Sequence, residues 1–133
     1  MIELRDITLG FGSRTLIESA STRFERGRIT ALLGRNGTGK STLLRAIASL
    51  GKPQGGDIYI GGEDLRGLSS EQLARRVAFV NTERIDVEAL SVYDIVAIGR
   101  SPYTDWMGRL SADDEAVVRH AIKVVGVEYL ADR

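Results

Sequence analysis

The residues whose types and spacing are most able to do chemistry form one glycine-rich stretch, Gly34-Arg35-Asn36-Gly37-Thr38-Gly39-Lys40-Ser41. The stretch matches G-x-x-x-x-G-K-[ST], the pattern of a phosphate-binding loop. Successive backbone N–H groups of such a loop turn inward and form a nest for an anion, at which the following helix also directs its N-terminus. The pattern predicts that Lys40 contacts terminal phosphates and that the Ser41 hydroxyl is a ligand of Mg²⁺.

A phosphate loop needs a strand before it and a helix after it. Residues 28–33 are a mostly apolar run between glycines, which predicts a buried strand of a parallel sheet. A helix is predicted over residues 40–50, ending near Gly51 and Pro53. Its apolar face consists of Leu43, Leu44, Ile47 and Ala48. This context favours phosphate binding over a chance glycine loop that caps a helix, but it does not separate ATP from GTP, or a hydrolase from a kinase.

The rest of the chain is predicted to contain strands first and helices later. Alternating residues over 2–9 predict a half-buried strand with a bulge or break at Arg5-Asp6. Further strands are predicted within 15–24, 54–62 and 77–80, the last of them buried. Three helices are predicted, each of them directly after a capping box, and the last helix ends at Gly126. The boxes are Ser69 with Gln72, Ser91 with Asp94, and Ser111 with Asp114, and Gly99 is the predicted residue after the second helix.

Composition excludes several classes of protein and site. The 133 residues contain 18 basic and 18 acidic side chains, so bulk charge gives no reason to expect a nucleic-acid partner. The absence of cysteine removes disulfides and thiolate chemistry, and a single histidine, His120, excludes a multi-histidine zinc site. No apolar stretch approaches the ~18–20 residues of a membrane span, and residues 1–20 have no signal-peptide pattern. We expect a cytosolic protein.

With its surroundings, the loop resembles that of the nucleotide-binding domains of ABC transporters. The matching residues are Gly34 to Thr42, Phe11, Gly55-Gly56-Asp57-Ile58 and Arg76-Val77-Ala78-Phe79-Val80. Residues 96–103 with Gly108-Arg109-Leu110-Ser111 are similar to the ATPases that energise uptake of iron-siderophores, haem and vitamin B12. The resemblance implies an α/β P-loop NTPase fold of the ABC type: an antiparallel β part, the P-loop strand and helix, and a helical subdomain.

The resemblance also implies ligands and residue roles. The cofactors are ATP and Mg²⁺, and Phe11 stacks on the adenine ring. The phosphates are held by Gly34, Arg35, Asn36, Gly37, Thr38, Gly39, Lys40, Ser41 and Thr42. Mg²⁺ is held by Ser41. Where the family has a metal-sensing glutamine, this chain has Thr82 followed by Glu83, so either residue is a candidate metal ligand, or the segment is a plain connecting loop.

Other parts of the family's machinery are absent from the sequence. It has no apolar strand ending in consecutive acidic residues, no LSGGQ-type signature and no switch histidine. We therefore interpret the chain as the N-terminal part of one ABC ATPase domain, with residues 1–80 as the β-rich part and P-loop core, and 81–133 as a linking loop and the start of the helical subdomain. Such a fragment contains no catalytic residue, binds nucleotide at most, and should be marginally stable or self-associating.

The parent protein implied by the resemblance works as a dimer with a second ATPase subunit, on the cytoplasmic side of the inner membrane, attached to a transmembrane permease. Tyr103, Trp106 and Met107 either face that permease or, as we favour, pack within the helical subdomain. His120 is predicted to be structural, and acidic residues 113–115 to complement a helix dipole. The alternatives are a non-transport ABC protein or a non-catalytic nucleotide-binding module, and, less favoured, a small P-loop kinase or GTPase.

Overall fold

The computed structural model describes residues 1–82 and 90–132. By internal contacts the chain divides into two compact units, Met1–Phe79 and Val80–Arg133. Within the described residues, every helix is too short or too polar to span a bilayer.

The first unit is built on a four-stranded antiparallel sheet. Its strands are β1 (Ile2–Phe11), β2 (Arg14–Phe24), β3 (Gly55–Ile60) and the short β4 (Glu63–Asp64), in the order β2-β1-β3-β4. β1 lies between two partners because it pairs with β2 on one side and β3 on the other. The predicted N-terminal strands are therefore confirmed.

Helix α1 (Lys40–Ile47) contributes three buried residues to the core of the first unit: Leu43, Ala46 and Ile47. The strands contribute Leu4, Ile7, Leu9, Ile58 and Ile60. Leu44, which we placed on the apolar face, is about half exposed, because the buried stripe follows the i, i+3, i+4 spacing from Leu43. Helix α2 (Ser70–Ala74) follows its predicted capping box.

The predicted irregularity at Arg5-Asp6 is a bulge in β1. The register with β2 and with β3 shifts around this position, and Asp6 has a φ of 49°. Gly56 of β3 lies against the bulge so closely that a Cβ there would be 2.4 Å from the Asp6 carbonyl oxygen. Only glycine fits at this position, which explains the second glycine of the pair that opens β3.

Two predicted buried strands are wrong. Residues 28–33 and 77–80 are in non-regular conformation, with Ile29, Leu33 and Val80 almost fully exposed. An apolar run records a tendency to be buried, but a strand also needs a hydrogen-bonding neighbour. The four strands of the described residues pair only among themselves, and neither segment joins them.

The second unit contains helices α3 (Val92–Ile98) and α4 (Ala112–Val125), each opened by the predicted capping box. Gly126 ends α4 in the left-handed conformation with a φ of 77°, as expected, whereas Gly99 ends α3 in a right-handed one. The buried stripe of α4 is Asp114, Val118 and Ile122, at a spacing of four residues. His120 lies on the exposed side of α4.

One ion pair organises the start of the second unit. Asp114 is only 5% exposed and accepts hydrogen bonds from the Ser111 hydroxyl (2.6 Å) and from Arg100 (2.6 and 2.8 Å). These donors, Ser111 first and Arg100 second, lower the pKa of Asp114 to about 2. The guanidinium of Arg100 also stacks on Tyr103, 3.9 Å from the ring centre. Asp114 is thus a structural anchor between two segments, beyond the helix-dipole role that we predicted.

Only part of the loop that contains Tyr103, Trp106 and Met107 packs within the second unit as we favoured. Trp106 is 92% exposed, and Tyr103 and Met107 are each about half exposed. The loop is short and closed by its own hydrogen bonds, in which the Asp105 carboxylate accepts from the Met107 and Arg109 N–H groups. Trp106 therefore points outward, whereas Tyr103 packs against the Arg100 guanidinium.

Candidate phosphate-binding site

The glycine-rich stretch forms a tight loop at the start of α1. Gly37 and Gly39 have φ values of 80° and 99°, which L-residues with a side chain rarely adopt. Gly39 is the N-cap of α1 and has no side chain to accept from the first turn, and its carbonyl accepts from the Leu43 N–H at 2.8 Å. The unpaired N–H groups of that first turn are therefore available to an anion at the helix N-terminus.

The side chain of Lys40 folds back across this loop. Its ammonium Nζ donates to the carbonyl oxygens of Gly34 at 2.8 Å and Arg35 at 2.7 Å. The Thr38 hydroxyl also donates to the Arg35 oxygen, at 2.9 Å. The positive charge is thus held within the loop, where a phosphate oxygen would compete with carbonyl oxygens for the same donor.

The loop forms one wall of an open pocket of about 350 Å³. This volume is in the size range of small-molecule sites. The pocket is lined by Asn36, Gly37, Gly39, Lys40, Ser41, Thr42 and Leu16. The first six are predicted ligands of the phosphates. Backbone N–H groups, one ammonium and two hydroxyls are the donors that suit a polyphosphate. Ser41 is also a suitable single protein ligand for Mg²⁺, an ion that otherwise takes phosphate oxygens and water.

Leu16 of β2 is the member of this pocket that the sequence reasoning missed. The register changes from Leu9 opposite Ile17 to Gly10 opposite Thr15, so Leu16 is the extra residue of a bulge. A Cβ on Gly39 would lie 3.2 Å from the Leu16 Cβ and 3.3 Å from the Ile17 Cγ1. The loop therefore rests directly on β2, a contact that no local sequence signal reveals.

Phe11 stands at the end of β1, where a two-residue turn connects it to β2. Its backbone pairs with Arg14, and its side chain is 85% exposed. Leu16 follows Arg14 by two residues, which is about 7 Å along an extended strand. The beginning of β2 therefore contacts both the hairpin that presents Phe11 and the phosphate loop.

The predicted metal ligands Thr82 and Glu83 are not part of the unit that contains this pocket. Thr82 is exposed and belongs to the second unit, and Glu83 lies outside the described residues. Throughout 1–82 and 90–132, no three acidic or histidine side chains are grouped so that they could hold a metal ion. The role of Thr82 stays a prediction.

A family profile described as "ABC transporter" matches residues 17–133 of the chain. Curated relatives include an achromobactin transport ATP-binding protein of Dickeya dadantii, 37% identical over 99% of this chain. A probable siderophore transport system ATP-binding protein of Bacillus subtilis is 36% identical over 99% of it. These alignments cover 49% and 48% of the two relatives, so the chain spans about half the length of the curated relatives it matches.

Solved structures give the same fold. A dimeric ATP-binding cassette in a post-hydrolysis state, bound to ADP and Pi, superposes with a TM-score of 0.79. It is 22% identical, and the match covers all of this chain and 61% of that one. The described elements therefore have the fold of that cassette, although residues 28–33 and 77–80 are not hydrogen-bonded strands in this chain.

Proposed function

This chain belongs to the ABC transporter family, and we propose that it is the ATP-binding part of an importer's ATPase subunit. The parent protein would couple ATP binding and hydrolysis to uptake of an iron-siderophore. Haem and cobalamin-like chelates are the related substrate classes. The observation that carries the proposal is the loop itself, in which Lys40 lies across two carbonyl oxygens at the N-terminus of α1.

The residues have distinct roles in ATP binding. The loop backbone around Gly37 and Gly39 holds the phosphate chain, because its left-handed glycines turn N–H groups toward the pocket. Lys40 exchanges its carbonyl partners for phosphate oxygens. Phe11, exposed at the hairpin tip, stacks on the adenine ring, a contact worth roughly 1–3 kcal/mol in nucleic-acid systems.

The metal and the partners follow from the same proposal. Mg²⁺, bound with ATP, neutralises phosphate charge, and Ser41 is its protein ligand, with Thr82 as a second candidate. The partners are a second ATPase subunit and a transmembrane permease, which would hold the protein at the cytoplasmic face of the membrane. The names of the siderophore-transport relatives support the substrate class.

A titration that distinguishes binding of the adenine base from binding of the phosphates tests the proposal. Calorimetry would compare ATP with inorganic tripolyphosphate, which has no base, on the wild-type chain and on two variants. Phe11→Ala should weaken ATP about five- to hundredfold and leave tripolyphosphate unchanged. Lys40→Ala should weaken both ligands by about tenfold or more, since it removes a charged hydrogen-bond donor.

Trp106→Ala is the matched control, because Trp106 is an equally exposed aromatic side chain outside the first unit. It should bind both ligands like the wild type. Wild-type binding of neither ligand, or a Lys40→Ala variant that binds both normally, would overturn the assignment of the loop. Tighter binding of GTP than of ATP would revive the GTPase alternative.

A further inference from the structure

The hairpin that presents Phe11 is hydrogen-bonded to Gln54, the residue before β3. The Gln54 side-chain Nε2 donates to the carbonyl oxygen of Gly12 at 3.2 Å. The Gln54 backbone N–H donates to the Thr8 carbonyl oxygen at 2.8 Å. One residue, 42 positions along the chain from the turn, therefore contacts both the body of β1 and its tip.

Gly10 makes room for this contact. A Cβ at Gly10 would lie 2.7 Å from Gln54 Oε1 and 2.8 Å from Gln54 Nε2, and 2.5 Å from the Arg14 carbonyl oxygen. The amide of Gln54 thus occupies the space where any other residue at position 10 would place its side chain.

Phe11 lies between these two glycines and has little packing of its own. Because its side chain is 85% exposed, side-chain contacts do not set the direction in which the ring projects. That direction depends on the backbone of residues 10–12, where the Gln54 amide lies against Gly10 and donates to the Gly12 carbonyl oxygen. We propose that Gln54 is a positioning residue for the adenine site, holding the hairpin tip so that Phe11 is oriented before ATP arrives. This inference rests on the proposed ATP-binding function.

The test uses the same two ligands, because a positioning role predicts a loss for ATP alone. Gln54→Leu removes the side-chain amide and leaves an apolar side chain that is one atom shorter. It should weaken ATP about three- to tenfold, as expected for one hydrogen bond, and leave tripolyphosphate affinity unchanged. In a Phe11→Ala background, Gln54→Leu should have no further effect on ATP.

Ser13→Ala is the control, since it alters the same turn and leaves the contact between Gln54 and Gly12 in place. It should bind ATP like the wild type. An equal loss for ATP and tripolyphosphate in Gln54→Leu would overturn the positioning role, as would unchanged ATP binding or a full effect in the absence of the Phe11 ring. Failure of the ATP-binding function itself would be seen separately, as a Lys40→Ala variant that binds both ligands normally.

Discussion

Replacing Gly39 by alanine tests whether the phosphate loop has the conformation and the support described above. Gly39 has a φ of 99°, and a side chain in the left-handed region costs about 1–2 kcal/mol. The new Cβ would also lie 3.2 Å from Leu16 and 3.3 Å from Ile17, closer than ordinary contact. Forcing extra volume into a packed site adds about 1–3 kcal/mol, so we expect a total penalty of about 2–5 kcal/mol.

Gly37 provides the matched comparison. Its φ is 80°, but a Cβ there would meet nothing within 4 Å, so Gly37→Ala carries the backbone cost alone. Each penalty can appear in one of two places. Either the loop keeps its conformation and the folded chain loses stability, or the loop relaxes and ATP binding must restore it. The quantity to compare is therefore the sum of the losses in unfolding and in binding free energy.

Urea unfolding and calorimetric titration with ATP, on the same protein preparations, give that sum for each variant. The Gly37→Ala sum should be about 1–2 kcal/mol, and the Gly39→Ala sum should exceed it. In an Ile17→Ala background, the excess for Gly39→Ala should shrink, because one of its contacts is gone. Equal sums for the two glycines would show that the loop does not rest on β2. Sums near zero would show that neither glycine is left-handed.

Three further outcomes are expected. Gly56→Ala should lower the free energy of unfolding by about 2–4 kcal/mol, because its Cβ would lie 2.4 Å from the Asp6 carbonyl oxygen, whereas Gly61→Ala, with open space around it, should cost less in the same urea titration. The pKa of Asp114 is lowered from its ordinary 3.8 to about 2, so the stability from its charge is complete above its ordinary pKa and is lost as the pH falls through about 2. Helical circular dichroism should show this loss, and an Asp114→Asn variant that loses helix identically would contradict it. The wild-type chain and Lys40→Ala should hydrolyse ATP at the same background rate, and turnover that depends on Lys40 would contradict our view that the catalytic carboxylates are absent.

The features that could be predicted from sequence are those set by neighbours within a few residues. Each capping box pairs a serine with a side chain three positions on, so the pattern contains both partners, and all three helices begin where expected. The phosphate loop is equally local, because its left-handed glycines and its lysine lie within one short stretch.

The features that could not be predicted depend on residues far apart in the chain. Residues 28–33 have the apolar composition of a strand, but strand formation requires a neighbour that the pattern does not contain. The place of Leu16 depends on a bulge, which shifts register and so decides which side chain faces the loop. The hydrogen bond from Gln54 to Gly12 joins residues that are 42 positions apart, and no sequence-spacing rule predicts it. The phosphate loop could therefore be predicted from the sequence, whereas the contacts that Leu16 and Gln54 make around it are seen only in the fold.

The exposed run from Arg28 to Leu33 also affects the solubility of the protein. It contains several apolar side chains, a single charge and no proline. This composition is typical of segments that aggregate by pairing as β-strands. The chain has a formal net charge of zero and a pI of about 6.6, so near that pH no long-range repulsion keeps two such runs apart. Isoelectric precipitation should therefore be strongest near pH 6.6, and concentrated solutions should stay clear longest when the pH is moved well to the alkaline side.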